Sequence, residues 1–166
     1  MDDEQREAAR EQFRYRCGYC GVHEEDAGAT LTVDHYRPKV HEGSDDPANL
    51  VYCCHRCNEH KGSYWHEADP PHVRLLHPLI DHLAEHVQET DTGYLVGISQ
   101  EGELFILRLR LNRPPLIAYR LNQHKKREAD TELEAERQRV QELQAQIDAL
   151  TAALARTDDD LEREGA

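Results

Sequence analysis

Cysteine occurs five times in the chain, at positions 17, 20, 53, 54 and 57. Four of these form two pairs of identical spacing, Cys17-Gly18-Tyr19-Cys20 and Cys54-His55-Arg56-Cys57. A Cys-x-x-Cys turn points two thiolates at one metal, and two such turns complete a tetrahedron. Four soft sulfurs with no open position describe structural zinc. Cys53 falls on the wrong side of the second turn and reads as a small buried residue. The odd count and the acidic start, Met1-Asp2-Asp3-Glu4, speak against a disulfide framework and a secretory leader. A reducing, cytoplasmic setting is the expectation.

The 33 residues between the pairs are too many for a simple ribbon turn. They contain Asp34-His35, then Pro38, then Asn49-Leu50, and the second pair is followed at once by Asn58 and Lys61. The string from Cys17 to Gly62 resembles the zinc-stapled HNH endonucleases in order, spacing and residue type: Cys-x-x-Cys, Asp-His-x-x-Pro, Asn-Leu, Cys-x-x-Cys-Asn-x-x-Lys. The resemblance implies an α+β fold built on the small zinc-bound ββα-metal domain. It also implies roles. His35 takes the place of the general base, and Asp34 that of the carboxylate ligand of a catalytic divalent ion. Asn49 takes that of the residue holding the loop that orients the base. Asn58 occupies the third position, where many members carry His. An amide oxygen suits a hard ion, which favours Mg²⁺ or Mn²⁺ at that site. Lys61 matches the motif's own lysine.

The chemistry stands beside the resemblance. Phosphodiester cleavage needs an activated water, charge neutralisation at phosphorus and help for the leaving oxygen. A neutral imidazole can take a proton from water near neutral pH, and one divalent ion can serve the phosphate and the departing oxygen. Lys61, Arg37, Lys39 and Arg56 flank the motif and either contact phosphates or balance neighbouring acids. His82 and His86 stand four apart beside Asp81 and Glu85, and read as a solvated or core-edge pair.

These groups need elements to hold them. Residues 4–15 are rich in helix formers and lack Gly and Pro, so a helix should end before Cys17. Leu31 to Val33 predicts a short strand, Tyr36 to Ala48 a loop, Leu50 to Cys53 a second strand, and His55 to Trp65 a short helix. Downstream, the apolar stripe at 75, 76, 79, 80 and 83 predicts a helix over Leu75 to Val87. Tyr94 to Ile98 and Leu104 to Leu111 predict a hairpin joined around Glu101-Gly102, because Leu107, Leu109 and Leu111 alternate with Arg108 and Arg110. Residues 116–162 contain neither Gly nor Pro. Leu133, Val140, Ile147, Leu154 and Leu161 recur every seven residues, with Leu143 and Leu150 at the second seam position. β-Branched residues at the first seam position with Leu at the second favour a parallel two-stranded coiled coil. The expected division is 1–65 for the nuclease domain with its leading helix, 66–115 for an accessory helix and hairpin, and 116–162 for a long coiled-coil-like helix.

Composition bounds the function. The formal net charge is −13 over 166 residues, which runs against a strongly basic nucleic-acid binder and implies a local grip. No apolar run approaches the ~18 residues of a membrane helix, so no membrane partner is expected. The leading expectation is a metal-dependent endonuclease hydrolysing DNA phosphodiester bonds, with a homodimer or hetero-partner formed through the C-terminal helix. The alternatives are a non-catalytic zinc module that docks a partner through that helix, and an RNA-cutting or defence-system effector subunit.

Overall fold

The computed structural model describes residues 2–164, and the side chains of residues 2–152. The chain forms two compact units, Met1–Leu121 and the remainder from Asn122.

The first unit opens with α1 (Asp3–Gln12). Its start is a capping box: Gln5 N donates to Asp2 Oδ1 at 2.8 Å, and Asp2 N donates to Gln5 Oε1 at 3.0 Å. A single helical turn, α2 (Glu24–Ala27), precedes β1 (Thr32–His35). β1 pairs antiparallel with β2 (Leu50–Cys53), Thr32 opposite Cys53 and His35 opposite Leu50. All four β2 residues are buried. α1 packs on β2 and α3 (His55–Lys61) on β1, so this strand carries a continuous apolar run. The strand–loop–strand–helix order of the ββα-metal fold is present. The connecting loop is more structured than expected and contains 3-10 turns at Lys39–His41 and Pro47–Asn49.

The segment after α3 departs from two expectations. Leu75 to Val87 is not a helix. Leu75 and Leu76 are adjacent and both buried, whereas Leu79 and Ile80 are 39% and 69% exposed, so the apparent stripe faces no single core. Pro78 removes a backbone donor there. Asp81 closes the turn instead, accepting from His77 N at 2.6 Å and from both terminal nitrogens of Arg74 at 2.7 and 2.8 Å. A 3-10 turn (Leu83–Glu85) then leads into β3 (Val87–Glu89).

The hairpin is real and contains the expected Tyr94–Ile98 strand as β4 (Leu95–Gly97), but its partner is β3 and not Leu104–Leu111. Leu104 to Arg108 belongs to α4 (Gln100–Arg108), whose first turn is capped by Ser99, with Oγ accepting from Gly102 N at 3.1 Å. Phe105 and Leu109, four apart, are buried, while Leu107 is 76% exposed. The alternation with Arg108 and Arg110 was therefore coincidental, and the period is helical. Gly102 is an interior helix residue, not a turn. A Cβ there would lie 1.9 Å from the His86 carbonyl oxygen, so glycine lets α4 press onto the hairpin.

α5 spans Pro114–Glu164. Within the first unit its opening turns are tied down by Arg120, which is buried and donates to the carbonyls of Gly93 (2.6 Å) and Leu111 (2.8 Å). In the second unit the described seam residues Leu133, Val140, Leu143, Ile147 and Leu150 are 50–66% exposed. The side chains of Leu154 and Leu161 lie outside the described residues. Among the described residues no helix is long and apolar enough to cross a membrane.

Candidate active site and zinc centre

The two Cys-x-x-Cys turns converge. Cys17 and Cys20 sit in a knuckle between α1 and α2, where Cys17 N donates to Val22 O at 2.9 Å and Gly21 N donates back to Cys17 O at 2.8 Å. Cys54 is the N-cap of α3, and Cys57 lies in its first turn. The four Sγ atoms lie within 4.8 Å of one another. Zinc–sulfur bonds of about 2.3 Å imply sulfur–sulfur edges of roughly 3.8 Å, and Cys20 Sγ lies 3.8 Å from Cys54 Sγ. The donor set fits a closed zinc site. Hydrogen bonding within the cluster lowers the Cys54 thiol and raises those of Cys20 and Cys57. Arg113 adds a cation, with Nη2 at 3.5 Å from Cys57 Sγ and 3.8 Å from Cys54 Sγ. Cys53 is fully buried on β2, outside the cluster, and burial pushes its thiol up.

Asp34 and His35 end β1. Asp34 is buried. Its Oδ2 accepts from the Tyr19 hydroxyl at 2.6 Å and from Lys61 Nζ at 2.9 Å. Burial raises the Asp34 carboxyl above its ordinary pKa, opposed by Lys61 and Tyr19. Lys61 Nζ also donates to the His35 carbonyl at 2.8 Å. One ammonium thus pins α3 to the end of β1. Asn58 stands one turn before Lys61 on the same helix, and among the described residues its side chain has no hydrogen-bond partner.

His35 Nε2 lies 2.7 Å from Asp45 Oδ1, and Lys39 Nζ lies 2.9 Å from Asp45 Oδ2. Lys39, and next His35, hold the Asp45 carboxyl far below the usual carboxylate range. The loop carrying Asp45 is stapled by Asn49. Asn49 Oδ1 accepts from Arg37 N at 2.7 Å, and its Nδ2 donates to the carbonyls of Arg37 (3.1 Å) and Ser44 (2.8 Å). Gly43 closes the same loop so tightly that a Cβ would lie 1.7 Å from the Arg37 carbonyl oxygen. His77 Nε2 donates to the Ala48 carbonyl at 2.9 Å.

The basic residues around the motif differ in availability. Lys61 is fully buried, its ammonium held by Asp34 and the His35 carbonyl, in keeping with the acid-balancing reading of the two the sequence allows. Arg37, Lys39 and Arg56 are at the surface, each beside a carboxylate: Glu42 at 3.8 Å, Asp45 at 2.9 Å and Glu59 at 2.9 Å. Sequence reasoning missed Asp45, Tyr19 and Arg113. Tyr19 sits inside the first cysteine pair, where its position was a usable signal. Asp45 is one acid among several in a loop, and Arg113 lies 56 residues beyond Cys57.

Among the described residues the four cysteines are the only group of three or more His, Cys, Asp or Glu placed to hold an ion. No curated protein and no solved structure matches the chain. Residues 17–64 match the family model described as HNH endonuclease. The matched segment, Cys17 to Tyr64, holds both cysteine pairs, the Asp34-His35 strand end and α3, and it is in this segment that the chain is similar to the HNH endonucleases.

Proposed function

We propose that the protein is a metal-dependent endonuclease that hydrolyses DNA phosphodiester bonds. In this reading His35 is the general base, and Asp34 and Asn58 would hold one Mg²⁺ or Mn²⁺. The observation that supports it most is the Lys61 bridge. By taking both Asp34 Oδ2 and the His35 carbonyl, Lys61 fixes α3 against the strand end and so brings the turn that carries Asn58 alongside. The donor set suits a hard ion, since it offers one carboxylate and one amide oxygen. The Asp34 hydrogen bonds among the described residues all go to Oδ2, leaving Oδ1 for a cation.

A bound divalent ion would supply charge neutralisation at phosphorus and at the departing oxygen. The chain's own residues do the rest. His35, held at the end of β1, accepts a proton from the attacking water. Asn49 fixes the loop facing that ring through its three hydrogen bonds to Arg37 and Ser44. Arg37, Lys39 and Arg56 stand at the surface of the same domain and are the side chains available to a nucleic-acid backbone. The zinc holds the knuckle to the start of α3, so the groups keep their spacing without a large apolar core.

The test is plasmid cleavage in Mg²⁺, Mn²⁺ or excess EDTA, comparing the wild type with His35→Ala. Activity should require the added ion and fall about 10²–10⁴-fold in His35→Ala, with zinc content unchanged. Cleavage by His35→Ala at the wild-type rate would remove the assignment.

The exposed heptad seam of α5 supports a second element of this proposal, pairing of the helix with its copy in a parallel dimer. An isolated helix that leaves Val140, Leu143, Ile147 and Leu150 at least half exposed has little to stabilise it in water. Sedimentation of the full chain should give a dimer, and a chain ending at Gln123 a zinc-containing monomer.

A further inference from the structure

The ring of His35 has a definite partner. Its Nε2 lies 2.7 Å from Asp45 Oδ1, within the range of a charge-assisted hydrogen bond. Asp45 is itself fixed on several sides. Lys39 Nζ holds the other carboxylate oxygen at 2.9 Å. The backbone before it is clamped by Asn49 Nδ2 on the Ser44 carbonyl at 2.8 Å, and its own carbonyl accepts from Gln5 Nε2 at 3.3 Å. The Asn49 staple therefore ends on the residue next to the carboxylate that meets the imidazole.

An ionised carboxylate can only accept. A neutral imidazole carries one N–H and one lone-pair nitrogen, and which is which depends on the partner of the first. We propose that Asp45 is a positioning residue for His35: its carboxylate keeps the ring proton on Nε2 and so makes Nδ1 the nitrogen that receives the proton of the attacking water. The inference rests on His35 being the general base and adds the identity of the working nitrogen and of the group that selects it. In the step, one water proton passes to Nδ1 and the water oxygen bonds to phosphorus. The phosphorus–oxygen ester bond breaks, and the leaving oxygen takes a proton from solvent. The resulting imidazolium keeps its hydrogen bond to Asp45 and later returns its extra proton to solvent. Lys39, by holding Oδ2, keeps Oδ1 turned toward the ring.

The experiment uses the full-length, zinc-loaded protein and reads two quantities. Long-range proton–nitrogen NMR correlations of the imidazoles report the tautomer of His35, identified by its absence in His35→Ala. Single-turnover and steady-state cleavage report kcat, KM and the Mg²⁺ concentration for half-maximal rate. The wild type should show the Nε2–H form. Asp45→Ala should lose that bias and lower kcat by about 10- to 100-fold, with KM, the Mg²⁺ midpoint and zinc content within about twofold. Asp45→Asn, whose amide oxygen can still accept from Nε2–H, should recover part of both the tautomer and kcat. A wild-type ring protonated on Nδ1, or an Asp45→Ala protein with unchanged tautomer and kcat, would overturn the proposal. Equal losses in Asp45→Ala and Asp45→Asn accompanied by zinc release would do so too, since they would mark a purely structural role. If His35→Ala cleaves normally while Asp45→Ala still shifts the tautomer, the general-base reading fails and the Asp45–His35 lock stands.

Discussion

Residues 17–64 and the helix from Asn122 onward hold their shapes by opposite means. In the first, single side chains fix the backbone: four thiols on one point, Lys61 across Asp34 and a carbonyl, Asn49 across a loop. Most of these groups are buried, and each has a specific partner. In the second, side-chain contacts such as these among the described residues are local. Thr131 donates to Arg127 O, Gln144 to Asp148, and Arg137 lies 3.9 Å from Glu134, all within one turn. The apolar positions repeat but are exposed. One region encodes its structure in chemistry at a few positions, so one substitution can undo it. The other encodes a preference in a repeat, spread over many exposed positions.

The sharpest way to break the comparison is to remove the metal. Cys57→Ser, or a strong zinc chelator, should unfold the nuclease segment, because structural zinc in such sites is worth about 10–16 kcal/mol. Trp65, the single tryptophan, lies in the core-packing shell of that segment and reports the loss by fluorescence. If zinc-free protein keeps the native tryptophan signal and melting midpoint, the thiols are not its main fastening. Next in size is Lys61→Met. It keeps the volume but leaves Asp34 buried without its cation, which costs about 3–5 kcal/mol when a buried pair is broken. Denaturant unfolding should show that loss, and a cost below ~1 kcal/mol would mean the pair lies in wetter surroundings than its burial indicates.

A smaller effect should appear at Glu24. Arg10 donates to it at 2.5 and 2.9 Å and Tyr52 at 2.7 Å, and Arg10 first, then Tyr52, hold its carboxyl down to about 2. A lowered carboxylate stabilises the fold above its unfolded value of ~4.3 and ceases to do so as pH falls through 2. Glu24→Gln should therefore melt below the wild type at pH 7, with the gap closing between about pH 4 and 2. A gap constant across that range would show that the glutamate acts by shape, not charge. The least effect on the nuclease segment is expected from Leu143→Asp: a melting change within about 0.5 kcal/mol for a surface position, yet loss of any dimer in sedimentation.

What the sequence disclosed follows the same contrast. Cys17, Cys20, Cys54 and Cys57 were legible because metal geometry fixes their spacing, while Asp34, His35, Asn49 and Asn58 are singled out only by the order of the family motif around them. β2 was legible because Leu50 to Cys53 is an apolar run flanked by polar turns. The accessory segment was not. Leu75, Leu76, Leu79 and Ile80 copy a helical stripe although Pro78 and the Asp81–Arg74 clamp build a turn. Leu107, Leu109 and Leu111 copy a strand although Ser99 caps a helix. Short apolar runs fit either period, and only the cap or the clamp decides. Asp45 had no signal at all, because its partner is reached through a loop whose path depends on Asn49 and Gly43.

Arg113 bears on how separable the nuclease domain is. The family resemblance stops at Tyr64, but a zinc bound by four thiolates carries a formal surplus of two negative charges, and the cation beside it comes from beyond α4. Arg108, on α4, likewise donates to the Lys61 carbonyl at 2.8 Å, and Phe105 packs edge-on to Tyr19, the donor to Asp34. The matched segment is thus shorter than the set of residues that touch its thiols, Lys61 and Tyr19. A graft of residues 17–64 into another protein would carry the thiols but leave behind the Arg113 cation and the Arg108 and Phe105 contacts. Residues 17–64 and these supports belong to one compact unit, which extends to Leu121.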